Sequence, residues 1–165
     1  MNSFTINPAT ESDVVPLLDM IRELAVFEGL AGELEVTADS LREALFGPRP
    51  AATALLARVG DEPAGYAVYF QTFSTFVGHP GIFLDDLYVR PRFRERGIGR
   101  ALLGRAAQSR VESAGRFEWI TLRWNLKALR FYRGLGAQLM DEWALLRMDG
   151  RQVRKLANTT GEAAA

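Results

Sequence analysis

The densest chemistry in this chain lies between Asp85 and Leu103, where the run Asp85-Asp86-Leu87-Tyr88-Val89-Arg90-Pro91 leads into Arg92-Phe93-Arg94-Glu95-Arg96-Gly97-Ile98-Gly99-Arg100. A strand-like segment ends at Pro91, a short basic loop follows, and two glycines open a helix. Glycine lets backbone approach a bulky anion closely because no Cβ intervenes. The free N–H groups at a helix start, with the positive end of the helix dipole behind them, stabilise a phosphate. Arg92, Arg94, Arg96 and Arg100 add positive charge to the same loop, and the whole predicts a pyrophosphate site. No Lys-Ser or Lys-Thr pair follows the glycines, so the nucleotide P-loop is excluded. The three-glycine dinucleotide fingerprint is absent too.

A second group is acidic. Asp85 and Asp86 are neighbours in a strand, where successive side chains alternate, so they are expected on opposite faces, one of them toward a substrate cleft. Carboxylates suit a cationic amine, whose charge they attract before a proton leaves. An alkylammonium with a pKa of roughly 10.4 must lose that proton to become a nucleophile, and a carboxylate near roughly 3.9 is a weak base for the task. Asp85 acting through a water is the preferred arrangement, with an ordinary exposed strand-end acid as its alternative. Further along, Asn125 precedes a helix carrying Phe131 and Tyr132; a phenol is a neutral donor at pH 7 and can protonate a departing sulfur, or it can be a core aromatic.

The elements that must position these groups follow from periodicity and punctuation. Alternation over residues 3–7 gives a first strand. Thr10 to Asp13 reads as a capping box. The helix after it carries Val14, Leu17, Leu18, Ile21, Leu24 and Ala25 at helical spacing and runs to about Glu28, with Gly29 and Gly32 ending it. Thr37 opens a shorter helix stopped by Gly47-Pro48. Strands are predicted over 51–59 and 64–71, joined by the turn Gly60-Asp61-Glu62-Pro63, and over 82–89. Helix is predicted over 97–114, strand over 117–124, helix over 126–133, strand over 143–148, and a short helix near 153–157. This order describes an α/β protein of the α+β type, a mixed sheet with helices on its faces. It forms one domain over 1–157, with residues 158–165 expected to fray.

Composition bounds the function classes. The chain has 165 residues, enough for one well-packed domain, and 20 basic against 20 acidic side chains leave no net charge. No global field then points to nucleic acid or to an anionic membrane as a partner. The absence of cysteine excludes disulfides, thiolate metal sites and an acyl-cysteine intermediate. A single histidine, His79, in a Gly/Pro loop argues against a typical zinc site, and no metal is expected. No leader-like segment or bilayer-length apolar run is visible, and a soluble cytoplasmic protein is the expectation.

With both motifs in hand, Arg94-x-x-Gly97-x-Gly99 resembles the coenzyme A pyrophosphate loop of the GNAT N-acetyltransferases. The segment from Trp124 to Ala137 is similar to the part of that family where an asparagine and a Phe-Tyr helix meet the coenzyme. Glu23-Leu24-Ala25-Val26-Phe27-Glu28, Phe46-Gly47-Pro48, Gly65-Tyr66-Ala67-Val68-Tyr69-Phe70 and Phe83-Leu84-Asp85-Asp86-Leu87-Tyr88-Val89 resemble its diamine (spermidine/spermine) branch. The resemblance runs to about Met148. It implies a GNAT fold, a mixed central sheet flanked by helices on both faces, and transfer of acetyl from acetyl-CoA to the primary amine of a small cationic substrate in a ternary complex.

The same resemblance assigns roles. Leu87, Tyr88 and Val89 would meet the pantetheine and acetyl carbonyl, and Arg94, Glu95, Arg96, Gly97, Ile98, Gly99 and Arg100 would wrap the pyrophosphate. Asn125 and Tyr132 would contact coenzyme A, with Tyr132 as general acid. Phe27, Glu28, Asp85 and either Asp141 or Glu142 would line the amine site. It also implies a homodimer. The chain departs from the branch in having Asp85 where a glutamate is usual and Phe27 where an aromatic hydroxyl is usual. An amino acid such as a lysine analogue, a protein amine, or an inactive acyl-CoA-binding module are the alternative readings.

Overall fold

The computed structural model describes residues 3–109 and 115–159. The chain divides into two compact units, Met1–Leu122 and Arg123–Ala165. The first holds a five-stranded sheet whose spatial order is its chain order: β1 (Thr5–Pro8), β2 (Thr53–Val59), β3 (Glu62–Ser74), β4 (His79–Val89) and β5 (Phe117–Trp119). The first four are antiparallel neighbours and β5 joins β4 in parallel, so the sheet is mixed, as expected. The turn between β2 and β3 is tighter than predicted: Gly60 takes a left-handed φ of 58°, and Glu62 already belongs to β3.

Period-two alternation gives the sheet two apolar faces. Ala54, Leu56, Tyr66, Val68 and Tyr88 form one core cluster with Val14, Leu17, Leu18, Met20 and Ile21 of α1 (Val14–Glu28) and with Leu41 and Leu45 of α2 (Ala38–Phe46). Leu55, Ala57 and Ala67 alternate with these and are also buried, on the face where α3 (Ile98–Gln108) lies across β1 to β4 with Ile98, Leu102, Leu103 and Ala106 buried. Helices therefore cover both faces. Thr37 caps α2 as predicted, its Oγ1 accepting from the Ser40 N–H at 3.1 Å. The last residues of the predicted 97–114 helix, 110–114, lie outside the described residues.

The second unit contains α4 (Leu126–Arg133) and α5 (Gly150–Thr159). Asn125 caps α4, its Oδ1 accepting from the Ala128 N–H at 3.1 Å. The α5 helix starts earlier than the predicted 153–157 because Asp149 caps it: Oδ1 accepts from the N–H groups of Arg151 and Gln152, both at 2.9 Å, while the Gln152 side chain accepts from the Asp149 N–H at 2.8 Å. Helix continues through Thr159, and 160–165 lie outside the described residues.

Two strand predictions need correction. Only Phe117–Trp119 of the segment 117–124 joins the sheet, and residues 143–148 form no strand. Alternating apolar residues make a strand only where a neighbouring edge takes their N–H and C=O groups. Among the described residues no ladder includes 143–148, and Trp143 and Leu146 are 72% and 91% exposed. No helix among the described residues is long and apolar enough to cross a membrane.

The entry to α1 is locked by one buried acid. Asp13 Oδ2 accepts from the Thr10 N–H at 2.8 Å and from the Thr10 hydroxyl at 2.9 Å, and Oδ1 accepts from Arg58 Nη2 of β2. Burial alone would raise the Asp13 pKa, but the Thr10 bonds and the Arg58 charge together outweigh it and hold it below the usual carboxylate range. A folded-state pKa below the unfolded one contributes stability above the unfolded value, and that stability disappears as pH falls through the folded value. Asp13→Ala should therefore lower unfolding free energy by about 2 kcal/mol at pH 7. Urea unfolding at pH 7 and again below about pH 4 checks this, since the gap between variant and wild type should shrink in acid.

Candidate active site

The central feature is an irregularity where β3 meets β4. Val68 stands opposite Asp86 and Tyr69 opposite Leu84, so Asp85 has no counterpart across the ladder. Such a bulge breaks the strict alternation of side chains and bends the strand. Asp85 and Asp86 consequently line the same cavity, which corrects the expectation that they point to opposite faces. That cavity, about 400 Å³, is walled by apolar side chains of α1, α2 and the 30–36 segment, among them Ile21, Leu24, Leu34 and Leu41, and by Val68. Its ionisable lining consists of Glu28, Glu33, Asp85 and Asp86, with no cationic side chain among the lining residues.

The carboxylates differ in environment. Asp85 is exposed, while Asp86 is partly buried and accepts a hydrogen bond on Oδ2 from the Tyr66 hydroxyl at 3.0 Å. Burial, and then the neighbouring charge of Asp85, raise the Asp86 pKa to about 6; the Tyr66 bond opposes the rise and Glu28 adds to it. Burial also raises Glu28, which is the last residue of α1. Tyr66 is wholly buried, and burial followed by the charge of Asp86 pushes its phenol well above the ordinary value, so it acts only as a donor.

The bulge also marks where the sheet opens. β4 pairs with β3 from His79 to Val89, but it meets β5 only from Ile82 to Leu84. Among the described residues no strand covers the other edge of 85–89. The Arg90 N–H donates to the Ala64 carbonyl at 2.9 Å, which sets the phase of the ladder. Since antiparallel bonding alternates, Leu87 and Val89 turn their backbone groups to the open edge. The Val89 carbonyl is taken there by Arg94 Nε at 2.8 Å. The Leu87 N–H and C=O and the Val89 N–H are what this edge offers. Tyr88 is buried, so its ring belongs to the core.

Beyond β4 the loop turns sharply. Glu95 has a positive φ of 65°, unusual for a residue with a side chain, and Gly97 caps α3 at φ 83°. No side chain caps the helix, its first turn has no acid, and the Ala101 N–H is the first to reach back, to the Gly97 carbonyl at 3.0 Å. The amides of Ile98, Gly99 and Arg100 precede it, at the positive end of the helix. An arginine in that first turn opposes the helix dipole, and an anion in front of the turn would offset that repulsion. The loop arginines are not equivalent. Arg92 pairs with Glu62, Arg92 and Arg96 flank the buried Phe93 ring at 4.9 and 5.4 Å, and Arg94 lies between Phe27 and Tyr88, 5.2 and 5.7 Å from their ring centres. Arg96 and Arg100 form no ion pair among the described residues.

The remaining expected residues lie in the second unit. Asn125 holds the start of α4, and Tyr132, with its ring tilted against Phe131 at 5.2 Å, sits near the end of that helix. Asp141 pairs with Arg123 at 3.7 Å; Glu142 is exposed. Asp86 and Glu33, which line the cavity, and Tyr66, which donates to Asp86 from behind it, are polar residues that sequence reasoning did not assign to the site. Only the tertiary register reveals them, because a bulge carries no local sequence signature here.

Residues 18–137 match the Acetyltransferase (GNAT) family. A thialysine N-epsilon-acetyltransferase of Mus musculus is 34% identical, with 95% of this chain and 99% of that protein covered. A spermidine/spermine N(1)-acetyltransferase-like protein 1 of Homo sapiens is 29% identical over 95% of this chain, which spans 24% of that longer protein. Among solved structures, an integron cassette protein from the V. cholerae mobile metagenome superposes with a TM-score of 0.78 at 24% identity, covering 95% of this chain and 98% of that one. With the split sheet, the bare helix start and the family match together, this chain belongs to the GNAT acetyltransferases.

Gly97 offers a direct test of the loop. A Cβ there would meet no protein atom within 4 Å, so a side chain would reach into the space in front of the helix, although φ 83° disfavours it. Gly97→Val should cost roughly 1–2 kcal/mol of stability in backbone strain. It should also raise the coenzyme A dissociation constant by about tenfold or more, read by calorimetry. Unchanged affinity in a folded variant would remove the diphosphate from this turn.

Proposed function

We propose that this acetyl-CoA-dependent N-acetyltransferase acetylates the primary amine of a small cationic substrate of the diamine or polyamine kind, by direct attack in a ternary complex. The observation that carries the substrate class is the 400 Å³ cavity with an apolar wall and only carboxylates as charged lining, adjoining the bulge of β4. An alkyl chain bearing ammonium groups matches both properties: methylenes against Leu24, Leu34 and Leu41, positive charge beside Glu28, Asp85 and Asp86. The lining holds no cation for a substrate carboxylate. A lysine-like amino acid is the second reading, favoured by the thialysine-acetylating relative at 34% identity.

In this reading acetyl-CoA lies with its diphosphate on the amides of Ile98, Gly99 and Arg100 and its pantetheine along the open edge at Leu87 and Val89. A strand amide at Leu87 polarises the thioester carbonyl as charge builds on its oxygen. Glu28 and Asp85 draw in the amine beside Phe27, with Asp141 or Glu142 as a further acid. Tyr132 protonates the departing sulfur, and Asn125 contacts the coenzyme; both assignments rest on the family resemblance and on the chemistry of a phenol, which stays protonated at pH 7. A homodimer completes the proposal on the same resemblance, with the cytoplasm as its expected compartment, and light scattering tests the oligomeric state.

A thiol-release assay with diamines, polyamines, lysine analogues and ornithine should give the highest kcat/KM for diamines or polyamines; a preference for amino acids would establish the second reading. Tyr132→Phe should lower kcat by about a hundredfold or more while leaving acetyl-CoA affinity within about twofold. A wild-type rate in that variant would dismiss the acid role.

A further inference from the structure

Resting on the acetyl-transfer reading above, we propose that Asp86, held in place by the Tyr66 hydroxyl, accepts the proton that the substrate ammonium must lose, while Asp85 and Glu28 only attract and hold the cation. The bulge brings Asp86 to the cavity on the same side as Asp85, and the hydrogen bond from wholly buried Tyr66 to Oδ2 orients the carboxyl group. That leaves Oδ1 as the oxygen for the amine. Asp85, by contrast, is exposed at the unpaired position of the bulge.

The electrostatics agree with the geometry. The ionisable groups around Asp86 are Tyr66 on β3, Asp85 on its own strand and Glu28 at the end of α1, with Glu33 lining the same cavity. Burial and the two acids raise its pKa to about 6, and only the Tyr66 bond works the other way. Against an alkylammonium, proton transfer to such a group is unfavourable by roughly ten-thousandfold, whereas transfer to an ordinary carboxylate is unfavourable by roughly a millionfold or more. Acidic neighbours thus do two things: they hold the cation and they make the central carboxylate a better base.

The proton balance closes without a further reactant. An ammonium proton passes to Asp86 Oδ1, giving a neutral amine and a carboxylic acid. The amine nitrogen attacks the acetyl carbon; the C–N bond forms, the C–S bond breaks, and the sulfur takes the Tyr132 proton. The second nitrogen proton restores Tyr132, and Asp86 releases its proton to bulk water past exposed Asp85. The products are the acetamide, free coenzyme A and one proton.

The test compares Asp86→Asn, Asp85→Asn and Tyr66→Phe in the full-length protein by thiol release over pH 5 to 9. The substrates are 1,3-diaminopropane and a fluoroalkyl amine that is uncharged at pH 7. Wild-type kcat/KM for the diamine should fall as pH drops through about 6, as Asp86 protonates. Asp86→Asn should lose that limb and about a hundredfold in kcat on the diamine, yet only a few-fold on the neutral amine, which has no proton to surrender. Calorimetric affinity for acetyl-CoA equal to wild type establishes that the variant is folded. Asp85→Asn should chiefly raise KM for the diamine. Tyr66→Phe removes a donor to the charged carboxylate, so its acid limb should move to higher pH, and this variant decides the matter if Asp86→Asn does not fold. Equal losses on both amines, an unmoved limb in Tyr66→Phe, or a wild-type rate in Asp86→Asn would overturn the assignment. A wild-type protein that releases no thiol with any amine would instead overturn the functional reading on which it rests.

Discussion

The antiparallel ladder between β3 and β4 has no place for one residue, and the site is organised around that mismatch. Asp85 is the surplus residue, set between the pairs Val68–Asp86 and Tyr69–Leu84. Two consequences follow from ladder geometry alone. Adjacent carboxylates reach one cavity instead of opposite faces, and the bulged strand bends. β5 stays with β4 only as far as Leu84, the residue before the bulge, and beyond it the edge is open. In the proposed reaction amine and thioester both draw on this break: one on the side chains it gathers, the other on the backbone groups it exposes.

The charges serve two distinct purposes. A motif reading treats the loop arginines as a collective positive field, but several of them hold the fold. Arg90 donates to both Glu23 carboxylate oxygens at 2.7 to 3.1 Å and to the Pro63 carbonyl at 2.8 Å, tying α1 to the ends of β3 and β4. Arg94 closes the turn onto the Val89 carbonyl and lies against Phe27, the neighbour of Glu28. A partly buried ion pair of this kind contributes less to net stability than to a single arrangement of the elements that share it. Here the shared elements carry the carboxylates on one side and the helix start on the other. The uncapped start of α3 presents amides, which are fixed in place as a long side chain is not.

Net charge is zero, yet the local fields are strong and opposite. The cavity on the α1 and α2 face is lined by acids, and the approach to α3 by arginines and bare N–H groups. In the proposed reaction a cationic amine and an anionic coenzyme thereby meet different places on one strand. Low overall charge and high local complementarity are compatible because field strength falls within about 10 Å in physiological salt.

Much of this was legible in the chain. Helical spacing from Val14 to Ala25, the caps at Thr37 and Asn125, the β2 to β4 strands and the glycines before α3 are local patterns, governed by interactions within a few residues. The glycine turn into an uncapped α3 was therefore readable, and so was the presence of acids at Glu28 and Asp85, which the structure gathers at one cavity. The segment 143–148 misled because alternation describes a face, while a strand also needs an edge to pair with. Asp86, Tyr66 and Glu33 were invisible as a group because strict alternation, the local rule, placed Asp86 away from Asp85. What the sequence by itself determined is which residues are helical, which are apolar and where a glycine turn opens α3. The side of the sheet that Asp86 faces, the strand edge left open and the partner that orients its carboxyl were decided only by pairing between segments twenty residues apart, since a register shift is a property of two strands and is written in neither alone.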